Sequence, residues 1–315
     1  MSNDVIQLSE PETGSRAAIA VAQGFNCYEY QTTREGQTLD VLWSHPDFAQ
    51  GGQRPSGSGI PLLFPFGGRI RGTSFEYEGR QYTLEEGDGQ GNAIHGFVLR
   101  RAWRVVEHSA SRVVGEFHAA QDDPSLLERW PSDFKIRVAY ELRSGALHSQ
   151  VEIENPGQQP LPFGFATHAY FRVPPAMGES SEGWMVQVPV RGEWELVNLL
   201  PTGEKLPNTA NAGLVDGLPF DECRFDNVFT DLVFTDGRCT TRIFNPTSGR
   251  AITQTFDDSF RHCVVYTPPH REAICMEPYT ALPDPFRMEA AGVETGLRLL
   301  APGATYRTEI VIDAQ

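Results

Sequence analysis

Basic residues are scarce in this chain: 26 Lys and Arg stand against 41 Asp and Glu, for a formal net charge of −15. Proteins that wrap nucleic acid carry a basic face, so that class of function is disfavoured. The same balance works against polyanionic substrates, although a local arginine could still hold a single phosphate. A neutral, polyhydroxylated ligand fits best. Cysteine is sparse too. Cys27, Cys223, Cys239, Cys263 and Cys275 are odd in number, widely spaced and without a C-x-x-C pair, which excludes a disulfide framework and a zinc ribbon. No H-E-x-x-H, H-x-H or close His/Cys cluster occurs, so neither a metal nor a cofactor is expected. The start, MSNDVIQLSEPETG, lacks a basic stretch followed by an apolar run and does not read as a signal peptide. The strongest apolar stretch near the middle, IPLLFPF, is far too short to span a bilayer. The expectation is a soluble cytoplasmic protein with no nucleic-acid or membrane partner, as a monomer or homodimer.

What the chain does have is a period of two, the mark of half-buried strands. In KIRVAYEL, Ile136, Val138, Tyr140 and Leu142 alternate with Lys135, Arg137, Ala139 and Glu141. The pattern resumes after Arg143-Ser144-Gly145-Ala146 with Leu147, Ser149, Val151 and Ile153, which predicts a hairpin. A second hairpin is expected from Phe75 to Leu84, turning at Gly79. A third is expected to join DLVFT to CTTRIF across Asp236-Gly237. Further strands are expected at 102–107, 113–119, 185–190, 262–267 and in the closing TYRTEIVI, which follows a tight turn at Pro302-Gly303. Helical signal is confined to a turn or two at SLLERW. With 23 prolines and 30 glycines punctuating short strands, the chain reads as all-β, a large antiparallel sandwich. Residues 1–18 are expected as a flexible N-terminal segment and 19–315 as a single domain.

Two residues stand out as an acid–base set. His168 lies in the aromatic, turn-rich segment FGFATHAYFRVP, and Glu277 in CMEPYT. An imidazole and a carboxylate work as opposed general acid and base when a fold brings them together across a substrate. The plain alternative for His168 is a hydrogen-bonded histidine at a strand end. Gly164 permits close backbone approach, while Phe163, Phe165, Tyr170 and Phe171 are expected to wall a concave pocket. Glu277 follows the strand-like run AICM, and burying an unpaired carboxylate is costly. It is therefore either ion-paired with an arginine or a base whose pKa is raised by partial desolvation. Arg69 follows Gly67-Gly68 and can donate several hydrogen bonds to ligand oxygens. His95 in GNAIHGF is a further candidate contact to a hydroxyl. Asp226 in RFDNVF is another acceptor, with an Asx-turn at a strand start as its alternative. The glycine-rich stretches GGQRPSGSG and GDGQGN lack the strand–helix context of a phosphate loop and are set aside. No G-x-S-x-G elbow argues for a serine hydrolase.

Taken in order, PLLFPFGGRI, NAIHGF, PFGFATHAYF, FDNVF, MEPYT and LAPGATY resemble the aldose 1-epimerase (galactose mutarotase-like) family, from about residue 20 to the C-terminus. The resemblance implies a large β-sandwich with an open cleft, and an isomerase that interconverts the α and β anomers of free aldoses. By motif, His168 matches the residue that protonates the ring oxygen and Glu277 the one that takes the proton from the anomeric hydroxyl. Arg69, His95 and Asp226 match residues that hold sugar hydroxyls. The implied chemistry starts from a protonated imidazole, which nearby carboxylates such as Asp226 would favour. Gly68 stands where galactose mutarotases usually carry asparagine, and Ala169 where proline or threonine is common, so the preferred sugar stays open. HGFVLRR and HAYFRV are similar also to the hexose-6-phosphate mutarotase (glucose-6-phosphate 1-epimerase) branch, where a further arginine holds phosphate. Arg100, Arg172 and Arg287 are the candidates for that role. A rival of a different class is a non-catalytic carbohydrate-binding protein that kept the cleft.

Overall fold

Alternation becomes register in the longest hairpin of the computed structural model, which describes residues 5–315. Lys135–Arg143 pairs antiparallel with Ala146–Glu154, from Lys135↔Glu154 to Arg143↔Ala146. Ser144 and Gly145 form the turn at φ 54° and 83°, the primed geometry whose twist matches that of the strands. Ile136, Val138, Tyr140 and Leu142 are all buried, as the pattern predicts. Burying each such side chain is worth about 1.5–3 kcal/mol. The second expected hairpin also forms, Ser74–Tyr77 with Arg80–Thr83.

Two large antiparallel sheets make the sandwich. The nine-stranded sheet runs, in spatial order, Arg104–His108, Arg112–His118, Lys135–Arg143, Ala146–Glu154, Thr305–Ala314, Ala251–Asp257, Arg238–Phe244, Met185–Gln187 and Leu218–Pro219. The eight-stranded sheet runs Leu200–Pro207, Val190–Val197, Asp226–Leu232, His262–Tyr266 and Ala273–Tyr279, then Ala166–Thr167 and Leu62–Leu63. Tyr170–Arg172 also pairs with Ala273–Tyr279. A single apolar cluster holds Ile136 and Val138 from the first sheet with Phe229, Val265, Ile274 and Met276 from the second. Period two then decides the rest: if Ile274 and Met276 face this core, Cys275, Glu277 and Tyr279 leave the opposite face.

Two expectations are corrected. The turn at Asp236-Gly237 exists, with Thr235 and Arg238 exchanging backbone hydrogen bonds, but its flanks do not form a hairpin. Asp226–Leu232 already has neighbours on both edges, Val190–Val197 and His262–Tyr266, so the chain crosses instead to the other sheet. The expected flexible segment over 1–18 contains strands Val5–Glu10 and Ser15–Ala20, paired to each other in a four-stranded sheet with Asn26–Arg34 and Gln37–Asp40. Leu8 and Ala17 bury their side chains there, which fixes this stretch; residues 1–4 lie outside the described residues. SLLERW contributes to a short 3₁₀ turn, Pro124–Glu128.

Candidate active site

Three neighbouring strands of the eight-stranded sheet present alternate side chains to one open cleft. Asp226 and Val228 come from the first, Val264 and Tyr266 from the second, Glu277 and Tyr279 from the third. The opposite wall comes from loops. His168 sits in the break between Ala166–Thr167 and Tyr170–Arg172, and its backbone N–H donates to the Pro61 carbonyl at 3.0 Å. His95 is held at φ 64°, with its backbone N–H on the Gly68 carbonyl. The cleft encloses about 730 Å³, counting the part open to solvent.

His168 and Glu277 meet in the cleft floor. Nε2 of His168 lies 3.4 Å from Oε1 of Glu277, and the two side chains are 9% and 1% exposed. The imidazole stacks on Tyr170, 4.9 Å between centroids and 4° between planes, with Tyr266 and His95 edge-on. Tyr279 donates its hydroxyl to Oε2 of Glu277 at 3.2 Å. No arginine pairs with Glu277 among the described residues, so the ion-pair alternative does not apply.

Burial sets the charge state. Desolvation, and secondarily the Arg54 cation, push the His168 pKa down to about 3. Desolvation raises Glu277 well above the usual carboxylate range; the Asp226 charge adds to this and the Tyr279 hydrogen bond opposes it. Both directions favour a neutral imidazole beside a protonated carboxyl. The imidazolium that the resemblance implies is therefore disfavoured by burial, with the Arg54 cation acting in the same sense. His95 is likewise kept neutral, first by desolvation and then by His168, Arg54 and Arg69. Asp226 itself is exposed, yet the cleft walls raise its pKa, with Arg69 acting in the opposite sense.

All five residues singled out from sequence line this cleft: His168, Glu277, Arg69, His95 and Asp226. Arg69 is aimed by two features. A Cβ on Gly67 would lie 2.5 Å from the Tyr279 ring, so the glycine lets this turn lie against the sheet. Asp88, almost wholly buried, accepts from Arg69 Nε at 2.9 Å. Although its burial opposes this, hydrogen bonds from Asn92, Gln90 and Arg69 hold the Asp88 carboxyl well below its usual range, so it remains an anion. The terminal nitrogens of Arg69 make no hydrogen bond among the described residues. Gly68, at φ 64°, has its own constraint, because a Cβ there would meet the Pro283 ring at 2.5 Å.

Other expectations are corrected. Of the four aromatic residues around His168 only Tyr170 lines the cleft; Phe163, Phe165 and Phe171 are buried in the apolar core. Gly164 does serve a close approach, but to the Ala281 side chain rather than to a ligand. Arg100, Arg172 and Arg287 do not line the cleft. Sequence reasoning missed Arg54, Ser56, Tyr266 and Tyr279. Arg54 and Ser56 belong to the glycine-rich stretch that was set aside, and no local signal marks them. Tyr279 had one: it stands two residues from Glu277 on a strand, and so shares its face.

The aldose 1-epimerase family model matches residues 4–313. The chain is 27% identical over 117 residues to the uncharacterized protein YphB of Escherichia coli K12, a match covering 36% of this chain and 37% of that one. Among solved structures it is similar to a galactose mutarotase-like protein from Clostridium acetobutylicum, with TM-score 0.86 and 20% identity over 99% of this chain and 98% of that one. A GalM/aldose epimerase homologue from C. elegans superposes with TM-score 0.79 at 19% identity, covering 99% and 98%. Galactose 1-epimerase from Lactobacillus acidophilus gives 0.71 at 15%, covering 100% and 99%. These likenesses show the fold, a galactose mutarotase-like β-sandwich. With a family model spanning nearly all of its length, the chain belongs to the aldose 1-epimerase family, a family of carbohydrate epimerases.

Proposed function

We propose that this protein is an aldose mutarotase, with Glu277 and His168 as its base and acid. The observation that carries this is the 3.4 Å contact between His168 Nε2 and Glu277 Oε1 on a cleft floor. The anomeric oxygen O1 and the ring oxygen O5 are bonded to the same carbon. An acid and a base that serve both must therefore lie side by side, as these two do, rather than across the sugar. Glu277 removes the O1 proton, the C1–O5 bond breaks as C1=O1 forms, and His168 delivers a proton to O5. Rotation about C1–C2 and closure on the other face, with the proton moves reversed, give the other anomer.

Proton counting links this to the electrostatics. Ring opening converts imidazolium and carboxylate into imidazole and carboxylic acid, which is the neutral state favoured by burial. The two states carry the same number of protons, so they interconvert without net exchange with solvent. Sugar hydroxyls donating to Glu277 would stabilise its anion and move the proton to His168 before opening. Arg69, His95 and Asp226 supply the remaining donors and acceptors for the sugar.

A second reading concerns the substrate alone. Arg54 lines the cleft and has no carboxylate partner among the described residues, which suits a sugar bearing an anionic group such as a 6-phosphate. Saturation-transfer NMR of anomer exchange over free and 6-phosphorylated aldoses tests both readings. Acceleration of some sugar is expected. If sugars bind and none is accelerated, the protein is a binder and the mutarotase reading is wrong. A selective loss of the phosphorylated sugar in Arg54→Ala would decide for the anionic substrate.

A further inference from the structure

The acid–base pair has a third, unused neighbour. Cys275 precedes Glu277 by two residues on the same strand, so both side chains leave the same face. Its Cα pairs with Tyr170, whose ring stacks on His168, and its thiol is fully buried. One ligand atom from each of His168, Cys275 and Glu277 lies within 4.8 Å of the other two. Oε1 of Glu277, buried and facing this space, accepts no hydrogen bond, and Nδ1 of His168 has no partner either.

Those distances suit one class of ligand. Around a tetrahedral zinc ion, with bonds near 2.0–2.3 Å, nitrogen, oxygen and sulfur ligands stand about 3.3–3.8 Å apart. The His168–Glu277 separation of 3.4 Å already falls in that range. The Cys275 sulfur lies within 4.8 Å of the other two ligand atoms, so reaching that range takes at most a small side-chain adjustment. We propose that His168, Cys275 and Glu277 form a binding site for a zinc-class divalent cation, and that the ion inhibits the protein by occupying its acid–base pair. Binding displaces the Cys275 thiol proton and the Glu277 carboxyl proton to solvent, and the thiolate and carboxylate then balance the two positive charges. The fourth position faces the cleft, where water or a sugar hydroxyl completes the tetrahedron. The inhibition half of this proposal rests on the mutarotase reading; the binding half does not.

Cobalt(II) gives a readout independent of activity. Titrating the full chain with CoCl₂ should produce a thiolate-to-cobalt charge-transfer band with intense tetrahedral d–d absorption, both displaced by ZnCl₂. Cys275→Ser should lose the charge-transfer band, while Cys263→Ser, altered at a buried thiol outside this trio, keeps it. Zinc should abolish anomer exchange in the unmodified protein and spare it in Cys275→Ser. No charge-transfer band in the unmodified protein, or a band that persists in Cys275→Ser, overturns the site. A zinc-displaceable band with exchange unaffected by zinc overturns the inhibition. If the band behaves as expected but the metal-free protein accelerates no sugar, the cation site stands and the mutarotase reading fails.

Discussion

The nine-stranded sheet matches its carboxylates with arginines, whereas the eight-stranded sheet and its flanking loops bury ionisable groups that pair with no arginine among the described residues. On the first, Glu116 bridges Arg104 and Arg137, and Glu152 meets Arg307, all flanking strands whose alternate residues fill the core. On the second, His168, His262, Thr230 and Glu277 are each at most 7% exposed, and Ala273–Tyr279 is buried along its whole length. The two sheets close on a common apolar core, so neither is a separate unit. The difference shows how one fold divides its tasks. On the first sheet arginine partners hold even the buried Glu116 as an anion, and on the second burial without such partners favours the neutral forms of His168, His262 and Glu277.

Changes on the buried side should have the largest effects. Glu277→Gln and His168→Ala are each expected to slow anomer exchange about 10²–10⁴-fold, the usual worth of a general acid or base. Glu277→Gln should leave the thermal midpoint unchanged or raised, because it removes a buried ionisable group. Exchange NMR and calorimetry on the same samples check both halves, and a full rate in either variant would remove that residue from the mechanism.

His262 tests the buried sheet through pH. Its Nε2 donates to the Thr295 carbonyl at 3.1 Å, its Nδ1 accepts from Trp194 at 3.3 Å, and desolvation lowers its pKa to about 4. A folded-state pKa below the unfolded value of 6.5 means that the unfolded chain binds the proton more readily. Stability is then complete above pH 6.5 and falls as the pH drops toward 4, by about 3 kcal/mol from this residue. His168 adds to the same slope. His262→Gln, which can keep both hydrogen bonds, should flatten part of the decline in urea midpoints between pH 7 and 4. An unchanged slope would show that His262 is not held neutral by burial.

Gly68→Ala should cost about 1–3 kcal/mol, because alanine must adopt φ 64° and its Cβ meets the Pro283 ring. Pro283→Ala should recover part of that loss in the double variant; a recovery of nothing would place the cost in the backbone alone. The smallest effect belongs to the outer sheet. Arg307→Ala removes a largely exposed partner of Glu152 and should change stability by roughly 0.2–1 kcal/mol, an effect that salt reduces further. A larger, salt-insensitive loss would break the contrast between the two sheets.

The same contrast governs how legible the chain was. Lys135–Arg143 and Ala146–Glu154 could be read to within one residue at the turn, because one wet face and one dry face print a period of two into the sequence. The turn at Asp236-Gly237 was legible as a turn and misread as a hairpin, since turn chemistry is local while strand partnership depends on which edges are already taken. The N-terminal strands were missed because VIQLSE and SRAAIA are short and lack a clean period of two, and they are held by partners farther along the chain. In the site, Arg69, His95, His168, Asp226 and Glu277 could be picked out by motif and neighbourhood. Arg54 could not, lying in a glycine-rich loop with no period and no motif.

The sequence by itself determined the sandwich class, the hairpin over 135–154 and the closing strand, the family and the five residues that converge on the cleft. Alternating burial and short ordered motifs are properties of neighbouring residues and survive without coordinates. Only the tertiary structure decided the proton. His168 and Glu277, far apart in the chain, come to 3.4 Å in a buried cleft floor, where desolvation is the largest influence on both and the Arg54 and Asp226 charges act in the same sense. It also brought Cys275 to that pair, although no local spacing in the chain joins a cysteine to His168. Spacing along a chain records local geometry, whereas dielectric and proximity are set by everything that packs around a group.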